Sequence, residues 1–252
     1  MKIKPFAVSL VALLLLFSVC GRCHAQTGDL KITFKFKGEI PAAKMINAAM
    51  LDNVQVPDER LIVNKANRGI KNVVVYVYNH RRGTNLDPQP VPKRKLTLTT
   101  KQFRFEPHIV VTQVGDTLKI ENAGLHSPNF QFFNNQQGLQ VPGQANLIKL
   151  RETEPAVVLI SCNIHPWMKS HILVVDHAFY GKSNEDGVLE INDIPAGKKV
   201  VFRAWHETGT FKENIIVDGK EEKWNKNIVE FDIKAGMNDI GVVEVPIDNF
   251  KL

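Results

Sequence analysis

The chain has 252 residues, 32 Lys and Arg against 26 Asp and Glu, and three cysteines. A formal charge of +6 spread over that length is too small and too scattered for a nucleic-acid surface. The length allows one large domain or two to three small ones.

Residues 1–25 read as a secretory signal peptide rather than as structure. Lys2 and Lys4 supply a positive start, Phe6 to Val19 a nearly unbroken apolar run, and Cys23-His24-Ala25 a small-residue cleavage site before Gln26. The run is too short and wrongly flanked for a spanning helix. Acylation of Cys20 is the competing reading, but Phe17 and Val19 fit a lipoprotein signal poorly, so cleavage after Ala25 is preferred. A periplasmic or secreted location is therefore expected. No later segment approaches 18 apolar residues, so no membrane span is expected. Cleavage removes Lys2, Lys4 and Arg22 but no acid, which takes the net charge from +6 to +3. It also removes Cys20 and Cys23, leaving Cys162 as the lone thiol of an exported chain. Such a thiol has no disulfide to make within its chain; a metal-ligand role competes with that of a small buried hydrophobe.

The remaining pattern is β throughout. Leu30-Lys31-Ile32-Thr33-Phe34-Lys35-Phe36 alternates strictly, and Asn72 to Tyr78 is a β-branched and aromatic run. Residues 37–70 are irregular, with room for one helical turn between Pro41 and Met50. Arg81 to Lys95 holds Gly83, Pro88, Pro90 and Pro92 among five basic residues and reads as a surface loop or linker. Short strands then follow closely: Phe103 to Phe105, Ile109 to Val111, the turn Val114-Gly115-Asp116, and Thr117 to Ile120. Val157 to Ile160 and His171 to Val175 bracket the cysteine, and this spacing suggests a sandwich or barrel. From His177 the texture changes to strand and turn in regular succession. Asn184 to Gly187 and Pro195-Ala196-Gly197 are the turns, and Val188 to Ile191 and Val200 to Trp205 are strands.

The segment Cys162-Asn163-Ile164-His165-Pro166-Trp167-Met168 puts a thiolate, an imidazole and a thioether on one short loop between strands. With one more histidine these are the donors of a mononuclear blue-copper site, and His126, just past a strand and 36 residues upstream of Cys162, is the candidate. Soft sulfur favours Cu(I) and imidazole suits both oxidation states. The thioether argues against structural zinc. Ser161 and Asn163, rather than histidines, flank Cys162, and the chain has no His-x-His, so multicopper-oxidase wiring is not expected. A Cys-His nucleophile would need a third orienting group, which Met168 is not. No catalytic constellation is expected, and the chain is read as a non-enzyme.

The stretch from Phe105-x-Pro107 to Gly115-Asp116, with His126 and Cys162-x2-His165-Pro166-Trp167-Met168, resembles the cupredoxins over about residues 95–176. The short loop looks most like that of amicyanin. The turns Asp186-Gly187 and Pro195-Ala196-Gly197 are similar to those of carboxypeptidase-regulatory or transthyretin-like β modules. The combination looks like the methylamine-utilisation-like cupredoxin proteins of bacteria. The resemblance implies an all-β chain: a cupredoxin-like Greek-key sandwich over 95–176, followed by a small antiparallel β-sandwich over 177–252. Residues 26–94 form an amino-terminal β region that, through Val73 to Tyr78, is expected to add a strand to the copper sandwich. It implies one copper ion, with His126, His165 and Cys162 as equatorial ligands and Met168 axial. It also implies an apolar rim of Pro166 and Trp167 round an exposed His165 edge. Ser127 stands where these proteins usually carry Asn after the first histidine, and it offers fewer hydrogen-bonding atoms to tie the ligand loops together.

Among the other histidines, His108 reads as a packed or surface residue, and His171 and His177 as solvent-facing. His206-Glu207 is a minor candidate for a second metal. The expected function is one-electron transfer to a periplasmic redox protein or dehydrogenase. The rival readings are a copper-holding protein for storage, delivery or sensing, and a structural β-protein that retains a relic copper fold.

Overall fold

A computed structural model of the chain describes residues 26–48, 53–79, 83–84, 86, 93–124, 130–132, 135–137, 141–153 and 156–252. The expected signal peptide over 1–25, Cys20, His126, Ser127 and most of the basic loop after Arg81 lie outside the described residues.

Strands β1 (Thr27–Lys37), β2 (Met45–Ala48), β3 (Val54–Pro57) and β4 (Val74–Val77) come first. Then follow β5 (Lys95–Lys101), β6 (Arg104–Glu106), β7 (Ile109–Gln113), β8 (Thr117–Glu121), β9 (Phe130–Phe132), β10 (Asn135–Gln137), β11 (Ala145–Lys149), β12 (Val158–Ser161) and β13 (Lys169–Val175). The rest are β14 (Tyr180–Lys182), β15 (Val188–Pro195), β16 (Lys198–Trp205), β17 (Ile215–Val217), β18 (Lys220–Glu222), β19 (Ile228–Ile233) and β20 (Gly236–Pro246). Two single 3-10 turns are the only helical pieces among the described residues. No helix is long and apolar enough to cross a membrane.

The strands pair into four larger sheets and the β2–β3 hairpin. Sheet I runs β15-β1-β20-β17-β18, sheet II β14-β4-β16-β19, sheet III β10-β9-β12-β13-β7 and sheet IV β11-β8-β5-β6. Side-chain alternation dictates how they stack. In β1 the buried set is Leu30, Ile32, Phe34 and Phe36, with half-exposed lysines and threonine between, so sheet I is covered on one face only. Those residues meet Val75 and Phe202 of sheet II, and Phe34 packs on Phe211 and Trp224 at ring-centroid distances of 5.8 and 6.4 Å. Burying each such ring stabilises the fold by roughly 1.5–3 kcal/mol.

Strand β4 has no exposed face. Val75 and Val77 point to the sheet I core, while Val74 and Tyr76 pack against Ile109, Leu173 and Val175 of sheet III. Strand β13 is apolar for the same reason: Leu173 and Val175 meet β4, and Ile172 and Val174 join Leu98, Leu118 and Ile120 in the core between sheets III and IV. The four sheets therefore stack as I, II, III, IV, all β as expected.

The place of β4 differs from the sequence expectation. It pairs with β14 and β16 and with no strand of residues 95–176, while β1 inserts between β15 and β20. The amino-terminal strands thus complete the carboxy-terminal sandwich, and residues 95–176 supply sheets III and IV by themselves. A doubly buried strand reads as a continuous apolar run whichever sheet it joins, so periodicity could not choose. The β1–β20 pairing is parallel within that otherwise antiparallel sandwich.

Candidate metal centre

Strands β12 and β13 are antiparallel neighbours, and the loop joining them carries Cys162, His165 and Met168. Its neck is closed by the Cys162 amide donating to the Met168 carbonyl (3.2 Å), and its tip by the Met168 amide donating to the His165 carbonyl (2.8 Å). That compact turn sends every third residue inward. Cys162, His165 and Met168 are 3, 5 and 3 % exposed, while Asn163 and Pro166 between them face solvent.

Inside the loop, Cys162 Sγ lies 3.8 Å from His165 Nδ1 and accepts the His165 backbone N–H at 3.4 Å. Two donors about 2.0–2.3 Å from one ion and roughly 120° apart would be separated by about 3.7 Å, so this pair fits a shared metal. The thiolate is the form of cysteine that binds metal, and the His165 amide is aimed at that sulfur. Cys162 and Met168 belong to the apolar cluster between sheets III and IV, with Ile160, Phe105 and Val110. Met168 is thus a buried thioether on the same loop, packed in the same apolar surroundings as Cys162.

The structure brings Cys162 and His165 within 3.8 Å and buries Met168 in the same apolar cluster as Cys162; His126, the other expected ligand, lies outside the described residues. The His165 edge is narrower than expected at 5 % exposure, with its ring 5.3 Å from that of Trp167. Trp167 is held by its indole N–H donating to the Phe103 carbonyl at 3.1 Å, which ties the loop to the β5–β6 turn.

His171 and His177 are buried, not solvent-facing as expected: His171 projects from β13 against Trp205 of sheet II, and His177, just past the end of β13, packs against Phe179 and the Val77 carbonyl. His177 Nε2 contacts the Val77 carbonyl at 3.0 Å, and its Nδ1 accepts the Phe179 amide at 3.2 Å. His206 is also buried: its Nδ1 accepts the Thr208 amide at 3.3 Å and its ring stacks edge-on to Phe250. Burial pushes both His171 and His206 down to about 4, and the nearby Glu207 charge only partly opposes it. Glu207, unlike His206, turns to His108, whose Nε2 lies 2.7 Å from its carboxylate. Burial raises the Glu207 carboxyl, but the His108 hydrogen bond and the surrounding imidazoles outweigh it and leave it below the usual range.

Fold and loop together define an all-β protein of stacked sheets with a buried Cys-His-Met loop. No protein-family model matches the chain, and no curated protein matches it. Among solved structures it is similar to the reduced Cu(I) form of an amicyanin variant at pH 4, with 19 % identity over 31 % of this chain and 80 % of that one, at a TM-score of 0.29. A second reduced amicyanin variant gives 19 % identity over 33 % and 85 %, at 0.30. A purple cupredoxin from Nitrosopumilus maritimus gives 17 % identity over 31 % and 98 %, at 0.28.

Proposed function

We propose that this chain is an exported mononuclear type 1 copper protein that carries single electrons. The observation that carries the reading is the Cys162–His165 pair, with sulfur and imidazole nitrogen 3.8 Å apart in a buried loop that also buries Met168. His126 would complete the donor set. Copper bound there would supply a one-electron centre that alternates between two oxidation states.

The chain's own part is to hold those donors still. Backbone bonds across the neck and tip of the loop fix its shape before any metal binds. Pro166 fixes one backbone dihedral beside His165 and removes a donor. Apolar packing round Cys162 and Met168 keeps water from competing for the site and shields the thiolate from oxidation. A pre-set, dry site changes little between oxidation states, which suits a carrier better than a catalyst. Exposed Pro166 and half-buried Trp167 offer a small apolar contact for a periplasmic redox partner.

Voltammetry of the copper-loaded chain tests this. The carrier reading expects a reversible one-electron wave that vanishes in Cys162→Ser. Copper that is bound but electrochemically silent would replace it with a copper-holding role.

A further inference from the structure

The junction of sheets II and III holds a second group of potential ligands, none of them drawn from the Cys162 loop. His108 immediately precedes β7, His171 lies on β13 and Glu207 follows β16, three segments far apart in sequence. The parallel β7–β13 pairing places His171 beside Ile109, and the His171 amide donates to the His108 carbonyl at 2.9 Å. A ring nitrogen of His108, a ring nitrogen of His171 and a carboxylate oxygen of Glu207 all lie within 4.8 Å of one another.

We propose that His108, His171 and Glu207 form a second metal site, for a divalent first-row cation of the zinc class. Two imidazoles and one carboxylate are a donor set for such ions and leave a coordination position open. Three observations favour a ligand over a merely structural cluster. His171 is 92 % buried, yet neither of its ring nitrogens makes a hydrogen bond among the described residues, and its Nδ1 is wholly enclosed without a partner. A buried polar atom left in that condition needs an explanation, and a bound ion supplies one.

The second observation is the His108–Glu207 contact of 2.7 Å, which in the metal-free chain is bridged by a proton. An ion would take that proton's place between the two. The third is Glu59, whose Oε2 stands 4.0 Å from His108 Nδ1. That separation is beyond hydrogen-bond reach, but a small closing movement would give the carboxylate–imidazole pairing that orients a metal-bound histidine. Solvent reaches the group through a cleft of about 480 Å³ that His108 and Glu207 line together with Glu59, Arg104 and Trp167. The open coordination position would face that cleft.

The test uses Zn2+ and the full mature chain carrying Cys162→Ser, which removes the thiolate of the first site. Calorimetric titration is expected to show one equivalent bound, with a raised melting temperature. Adding Glu207→Gln or His171→Asn should weaken binding at least about tenfold. No uptake, or uptake unchanged by those substitutions in folded protein, overturns the proposal. An independent reading needs no substitution: hydrogen exchange on the copper-loaded native chain, with and without added Zn2+. Slower exchange around His108, His171 and Glu207 supports the site; no change there overturns it. Neither readout depends on whether copper at Cys162 transfers electrons.

Discussion

Val75 and Tyr76, adjacent on β4, are buried in two different cores: Val75 beneath sheet I with Phe34, and Tyr76 against Leu173 of sheet III. A four-residue strand thus joins the carboxy-terminal sandwich to the sheet that carries the Cys162 loop, and its own sequence comes from the amino-terminal part of the chain.

Residues 177–252 produced alone should therefore fail to fold. They lack β1, which lies between β15 and β20, and β4, which lies between β14 and β16. Two gaps would expose strand edges and the Phe202, Phe211 and Trp224 surfaces that Phe34 and Val75 cover. Amide dispersion in a proton–nitrogen NMR spectrum is expected to be poor for the fragment, and to improve when a peptide spanning 26–79 is supplied.

Asp116, which begins the approach to β8, is 1 % exposed and accepts hydrogen bonds from four groups: the Arg94 guanidinium (shortest 2.6 Å), the Arg94 amide (2.7 Å), the Thr112 hydroxyl (2.8 Å) and the Gln113 amide (2.9 Å). Burial alone would raise its carboxyl, but these donors hold it below the ordinary 3.8. A depressed carboxylate stabilises the fold above its unfolded value and loses that contribution as pH falls through the folded one. Asp116→Asn should cost about 1.5–3 kcal/mol at neutral pH. Urea midpoints of the two proteins should begin to converge as pH falls below roughly 4 and meet only below the folded-state value.

Trp167→Phe removes the indole bond to the Phe103 carbonyl while keeping an aromatic ring beside His165. Phe103 holds a φ of 61°, uncommon for a bulky residue, so its turn depends on such outside contacts. The substitution should lower stability by about 1 kcal/mol in denaturant titration. It should also broaden the spectroscopic signature of a copper bound by the adjacent loop.

The sequence carried the Cys162 loop because its donors are contiguous: three-residue spacing on a tight turn fixes which side chains point inward without any distant strand. It carried β1 because a one-sided sheet leaves a period of two, with Leu30 to Phe36 alternating against lysine and threonine. It did not carry the partners of β4, whose two buried faces erase that period. Nor did it carry the His108–His171–Glu207 group, since no spacing within the chain records that the ends of β13 and β16 meet. The pair His206-Glu207 hinted at a metal, but the strand end turns His206 into the core and only Glu207 towards His108. One histidine cannot distinguish a sheet covered on both faces from one covered on a single face, so the sequence alone does not place His171 inside.

Visible absorption of the full chain purified from an exported fraction, with metal analysis of the same sample, tests whether Cys162 serves as a copper thiolate. One copper per chain with an intense thiolate-to-copper band, lost in Cys162→Ser, is the predicted result. A chain that binds one Cu(II) and stays colourless, or keeps its colour in Cys162→Ser, would contradict it.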